Sequence, residues 1–267
     1  MIPPPLHDIG AHRRLLVDFA AGFRTGPSEH DANVDLKLDH SLRVMDEAEA
    51  ILDTLDLAPD DRATCLLAAL YHDVGRFEQL RRFNTFDDSK SVNHGALGCR
   101  ILGREPFLDA LEPARRRVAR AAVAVHNRRR LPRGLEPGVV MAARLVRDAD
   151  KLDIYRVMIE HLSSDEEFKP VVTLGVRPHP ERYTPQLLDA VLEGRQGDYR
   201  RMAWTNDFKL LLLSWVHSMH FSAARRALAE RGLVRAVLDT LPDAPEFREL
   251  ARRLDQALDG GLGTPGL

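Results

Sequence analysis

From Ile9 to Leu258 the apolar residues recur at the three- and four-residue spacing of a helix, and no stretch of useful length alternates as a strand would. That pattern excludes a sheet-based core and leaves an all-α fold, a helical bundle with additional C-terminal helices. Ile9, Leu15, Leu16, Phe19 and Phe23 mark a first helix, closed by the segment RTGPSE. Leu38, Met45, Ala48, Leu52 and Leu55 mark a second, ended before Pro59. Pro59, Asp60 and Asp61 open a third, and the spacing carries it through His72 and Asp73 to a C-cap at Gly75. RRFNTFDDSKS reads as a loop. Helices then run through His94, Leu97 and Ile101, from Pro113 to His126, and over residues 138–162. Irregular segments follow, and helices resume around 185–193, 206–217, 222–240 and 244–258. The expected organisation is a helical extension over 1–29, a core over 30–162 and a helical portion over 163–267 packing on that core.

Composition narrows the partners. A chain of 267 residues that is 44% hydrophobic can bury a sizeable core, and a net charge of −2 exerts no general pull on nucleic acid or membrane. The longest apolar run, LLLLSWV at 210–216, is far too short to span a bilayer. MIPPPLHDIGAHRR lacks the charged-then-apolar order of a signal peptide. Cys65 and Cys99 lie inside apolar helical patterns and suit a reducing compartment. These features predict a cytoplasmic protein with neither a membrane nor a nucleic-acid polymer as partner.

The segment CLLAALYHDVGRFEQ, residues 65–79, begins as a core helix and ends in an imidazole beside a carboxylate. Burying that pair is costly unless each member is partnered. His-Asp occurs three times, and His7–Asp8 and His30–Asp31 sit near chain-start or loop signals and read as solvated surface. Only His72–Asp73 closes an apolar helix, where the partial negative charge of the helix end favours a cation. Imidazole plus carboxylate is a ligand set for Mn, Fe, Ni or Zn. Three other histidines have suitable settings: His40 borders the apolar stripe of its helix, His94 shares a face with Leu97 and Ile101, and His126 extends the face of Val118 and Ala122. In RDADKLD, Asp150 shares its side with Val146, Ile154 and Val157 and points inward, Asp148 lies at the edge, and Asp153 is placed to orient a ligand or substrate. Any one of these histidines is more often a hydrogen-bonded helix residue than a ligand. The weight rests on the set.

In order and in local context (LDHSLRVM, LAALYHDVGRF, SVNHGALG, AVHNRRRLP, RDADKLD), residues 36–157 resemble the HD superfamily of metal-dependent phosphohydrolases. The resemblance implies a helical bundle with its ligands at the centre, His40, His72, Asp73 and Asp150 on a first ion. His94 and His126 match the extra ligands of two-metal members, in which the aspartate of the dipeptide bridges. The implied cofactor is one or two divalent ions among Mn, Fe, Ni, Co, Zn and Mg, with Fe or Mn foremost. The implied reaction is attack of a metal-activated hydroxide on a small phosphorylated metabolite or nucleotide. Asp73, Arg76 and Lys151 are the catalytic candidates, and Arg76, Asn127, Arg128, Arg129 and Asp153 the substrate-binding ones, arginine's planar fork suiting phosphate. An arginine run also occurs at 115–117, away from any ligand, so such a run can simply be a solvated face.

Three subgroups of the superfamily fit poorly. There is no second histidine beside His126 and no Gly-Tyr-Pro segment, as in cyclic-di-GMP phosphodiesterases of the HD-GYP type. Gly75–Arg76 stands where alarmone hydrolases carry acidic residues, and Arg76 where 5′-deoxynucleotidases carry glutamate; Glu78 is a nearby acid. The same six ligand positions also resemble the mixed-valent diiron oxygenases of the superfamily, and a third reading is a non-catalytic helical binding module. Farther along, the apolar density around Trp215, His217, His220 and Phe221 suits core or a homodimer interface better than a metal site, and Arg177 and Tyr183 lie in segments suited to covering a site.

Overall fold

The computed structural model describes residues 3–26, 28–162 and 176–260. Among them every regular element is helical, and the sole β-type pairing is an isolated bridge between Arg177 and Trp204. The chain divides by its internal packing into two units, Met1–Asp153 and Ile154–Leu267. The first helix therefore belongs with the core, packing on the second and third. The division falls inside the long helix predicted at 138–162, not after it.

In the first unit, Asp8 opens α1 (Ile9–Ala21) by accepting from the Ala11 amide, and Ser28 opens α2 (Glu29–Leu52) by accepting from Asp31. The two decoy His-Asp pairs thus serve local turns: Asp31 also accepts from the Thr25 and Gly26 amides. Proline begins α3 (Pro59–Leu70), whose residues Ala63–Leu70 are all buried because α2, α6 and α1 surround it. The helix stops earlier than its spacing suggests. Tyr71 ends it, His72 and Asp73 form a turn, and α4 (Val74–Phe83) starts at once.

Gly75 accordingly lies inside α4 rather than capping α3. Its role is close approach: a Cβ there would sit 2.2 Å from the His94 carbonyl oxygen and 2.7 Å from the Gly98 nitrogen. Asn84, left-handed at φ 50°, closes α4. Residues 81–83 of the expected loop are helical, and a short 3-10 turn occupies Asp88–Lys90. Asn93 caps α5 (His94–Ile101), and α6 (Pro113–Val125) and α7 (Pro137–Leu162) complete the bundle. Leu67, Leu70, Tyr71, Phe77, Leu80 and Phe107 form its driest part.

The second unit contains helices at Pro185–Leu192, Thr205–Ser214, Ser222–Glu230, Leu233–Leu238 and Pro245–Gly260. The continuous helix expected over 222–240 is broken at Gly232, whose φ of 62° a helix cannot contain. Buried Asp207 accepts from Thr184, Ala203 and Trp204 and gathers the segment before its helix. Leu210–Leu213 are buried, as their apolar density predicts. Among the described residues no helix is long and apolar enough to cross a membrane.

Candidate metal centre

Five pieces of the first unit meet at the α3–α4 turn. His40 comes from α2, His72 and Asp73 from the turn, His94 from the first residue of α5, His126 from the end of α6 and Asp150 from α7. Tyr71 fixes the turn from behind, its hydroxyl hydrogen-bonded to buried His12 at 2.8 Å. All four histidines and Asp73 are buried, and Asp150 is partly exposed, its side chain at 23%.

The two oxygens of Asp73 face different histidine pairs. Oδ2 lies 3.7 Å from His40 Nε2 and 3.8 Å from His72 Nε2, and Asp150 Oδ1 joins them at 3.1 and 3.9 Å. Oδ1 lies 3.3 Å from His94 Nε2 and 3.9 Å from His126 Nε2. Within each pair the Nε2 atoms face one another, at 3.3 Å for His40–His72 and 3.1 Å for His94–His126.

The far nitrogens decide what these facing atoms are. His72 Nδ1 donates to the Ala69 carbonyl at 2.8 Å and His126 Nδ1 to the Val123 carbonyl at 2.7 Å, so in each neutral ring Nε2 is a bare lone pair. His94 Nδ1 donates to Asp88, 2.8 Å from both its oxygens, which makes its Nε2 a lone pair as well. His40 Nδ1 donates to Asp153 at 2.7 Å. Lone pairs and carboxylate oxygens thus converge at van der Waals distance with too few protons between them. A divalent cation resolves that arrangement, and the residues fit one. His40, His72 and Asp150 form one group able to hold a metal ion, and His72, Asp73 and His126 another, with ligand atoms within 4.8 Å of each other.

Electrostatics agree. Burial works against the Asp73 charge, but Lys37 and Arg76 outweigh it and hold the carboxyl well below the usual range. Burial lowers His72 and His94, and pushes His126 down to about 3 with help from the neighbouring imidazoles. His40 is the exception: burial and Lys37 oppose its charge, yet Asp150 and Asp153 raise it.

The substrate and catalytic candidates fall into three situations. Arg76 is at the site, but much of its guanidinium is occupied. Nε faces Asp73 at 3.4 Å, and one terminal nitrogen donates to Gln79, the Phe86 carbonyl and Asp88. Asp153 is 1% exposed, its oxygens taken by His40 and Arg43. It orients a histidine and is not placed to touch substrate. Asn127 donates to Asp88 at 3.0 Å while its own oxygen is buried without a partner. Arg128 and Arg129 are exposed, and buried Arg147 holds their carbonyls. Lys151 is buried, and burial pushes it down to about 8. Asp148 is fully buried rather than at an edge. Glu78 pairs with Arg81 at 2.5 Å.

In the second unit, Arg177 stacks on Trp204, Tyr183 donates to Glu246, His217 is half-buried and His220 exposed. Residues 163–175 of the covering segment lie outside the described residues.

The periodicity of apolar residues did not expose Lys37, Arg43, Gln79 or Asp88. Lys37 places its ammonium 3.0 Å from Asp73. It and Arg43 lie three residues either side of His40, so they share its helix face, a spacing visible in LKLDHSLR. Asp88 sits in the segment read as a loop, six residues before His94.

Residues 38–155 match the family model described as HD domain. No curated protein and no solved structure matches the chain.

Proposed function

We propose that this chain, which belongs to the HD superfamily by the domain it carries over residues 38–155, is a phosphohydrolase acting on a small phosphorylated metabolite or nucleotide. The observation that carries the reading is Asp73, one carboxylate whose two oxygens each face a separate pair of imidazole nitrogens. His40, His72, Asp73 and Asp150 would hold one divalent ion and His94, His126 and Asp73 a second. Ions bound there would acidify a water and neutralise charge on a phosphoryl oxygen.

The chain's own side chains supply the rest. Lys37 and Arg76 stand on opposite oxygens of Asp73 and both lie over the Phe86 ring, at 5.2 and 5.8 Å. They form a cationic pair beside the carboxylates, whose charge would otherwise repel a phosphate. Among the described residues the Arg76 hydrogen bonds use Nε and one terminal nitrogen, and the other terminal nitrogen is the one we assign to a phosphate oxygen. Lys151, lowered to about 8 by burial, has the acidity to hand a proton from Nζ to a departing alkoxide. Exposed Arg128 and Arg129 suit contacts with a part of the substrate away from the scissile bond.

The test is direct. Chelator-stripped protein reloaded separately with Mn, Fe, Ni, Co or Mg is incubated with a panel of phosphomonoesters and nucleotides. Phosphate release with at least one metal is expected, and no release with any of them would sink the proposal. Oxygen consumption and a mixed-valent electron paramagnetic signal from the iron form, without phosphate release, would transfer the site to oxygenase chemistry.

A further inference from the structure

The two histidine pairs are built on one plan. In each, one imidazole rests its Nδ1 on a carbonyl three residues back: His72 on Ala69 and His126 on Val123. The other rests its Nδ1 on a carboxylate that is also held by an arginine: His40 on Asp153 with Arg43, and His94 on Asp88 with Arg76. The supports differ. Asp153 lies on the long helix α7, whereas Asp88 lies on a three-residue 3-10 turn.

A carboxylate on so short a turn needs other restraints to aim it, and Asp88 has them. Oδ1 accepts from Gln79 at 2.9 Å and Arg76 at 3.2 Å, and Oδ2 from Asn127 at 3.0 Å. Gln79 in turn donates to Ser91 and to the Val92 carbonyl, pinning the turn from both sides. Three separate side chains are therefore committed to one loop aspartate. Its remaining capacity goes to His94, accepting from Nδ1 at 2.8 Å and, more weakly, from the backbone N–H at 3.4 Å.

We infer that Asp88 is the positioning residue of the His94–His126 half-site: by accepting the hydrogen bond from His94 Nδ1–H it holds the proton on Nδ1 and presents Nε2 as the ligand atom toward Asp73 and His126. A ring free to adopt the other tautomer would turn an N–H toward the ion. The half-site also depends on this more heavily than its counterpart. It has His94, His126 and one oxygen of Asp73, whereas the other adds Asp150. The inference rests on the reading that the cluster binds metal.

Chelator-stripped full-length protein, wild type and Asp88→Asn, is titrated with Co²⁺, following visible absorption and bound cobalt by elemental analysis. Wild type is expected to take two ions. Asp88→Asn is expected to take the first with unchanged absorption and affinity, and to bind the second about 10–100-fold more weakly, with an altered spectrum. A merely structural role would lower the unfolding temperature of the metal-free protein and leave the second ion's spectrum alone. Equal binding and equal spectra in the two proteins would overturn the inference and leave the metal reading standing, as would a wild type that takes only one ion. A wild type that takes no cobalt would bring down the metal reading, and the inference with it. Should Asp88→Asn fail to fold, Asn127→Ala carries the test: a weakened second ion supports the inference and an unweakened one overturns it.

Discussion

The His40–His72 and His94–His126 pairs share one carboxylate and one plan of support, yet they are not equivalent. The first pair is assembled from α2 and the α3–α4 turn, and α7 brings a second carboxylate oxygen, from Asp150, beside it. The second draws on the first residue of α5 and the C-cap of α6, with a loop aspartate behind one ring. Helix-borne groups are fixed by the packing of the bundle. Loop-borne groups are fixed only by the hydrogen bonds made to them. If each pair held an ion as proposed, the first position would rest on the bundle itself and the second on a network of hydrogen bonds to one loop.

Removing what the pairs share should have the largest effect. Asp73→Ala takes an oxygen from both half-sites and leaves Lys37 and Arg76 facing each other without their anion. Loss of both ions is expected, beyond the roughly 10–100-fold weakening typical when only an orienting partner is removed, together with loss of phosphate release. Elemental analysis and a turnover assay check it, and an Asp73→Ala protein retaining two tightly held ions would dissolve the idea of a shared carboxylate.

Gly75→Ala should separate the halves. The added methyl would meet the His94 carbonyl and the Gly98 nitrogen, both backbone, so α4 and α5 must part. Overpacking of this kind costs about 1–3 kcal/mol, readable by denaturant unfolding of the metal-free protein. Because α5 begins at His94, the second ion should be lost while the first remains. Loss of both ions together would mean the halves are not separable by packing.

Much of the site was legible in the sequence, for a physical reason. Helical periodicity tells which side of a segment faces the core, and His40, His94, His126 and Asp150 each stand on such a side. Their residue types then limit the chemistry. What stayed hidden depends on contacts between segments distant in the chain. The stop at Tyr71 has no glycine or proline to announce it, and Gly75 looked like a cap because its use, a helix crossing, needs α5 in place. Asp88 sat in a loop where acids are commonplace. Asp153 reads from its spacing as orienting either a ligand or a substrate, and only its bonds to His40 and Arg43, from another helix, point to the ligand.

Asp153→Asn is the counterpart of the Asp88 substitution and tests the symmetry of the plan. It removes the charge behind His40 and leaves Arg43 without its anion. Weakening of the first ion by about 10–100-fold is expected, with the second retaining its spectrum in a cobalt titration. If Asp153→Asn instead strips the second ion, the two carboxylates do not serve separate half-sites.

The smallest effect requires no substitution. In metal-free protein, burial and Lys37 press against a charge on His40, but its hydrogen bonds to Asp150 and Asp153 win and its pKa is raised above 6.5. His126 has no carboxylate on Nδ1, and burial with the adjacent imidazoles sends it down to about 3. Nitrogen-15 NMR of the imidazoles should therefore show His40 losing its proton at a higher pH than a free imidazole does, and His126 still neutral at pH 5. The linkage has opposite signs. For His126, the unfolded chain takes a proton near 6.5 that the fold refuses, so its contribution to stability is complete above that pH and is lost as pH falls toward 3. For His40, the contribution is complete below 6.5 and fades as pH rises through the raised value. A metal competes with a proton for His40 up to a higher pH than it does for His126, so uptake at the first position should release more protons. If the two imidazoles titrate together near 6.5, the asymmetry between the pairs lies in ligand number alone and not in their charge.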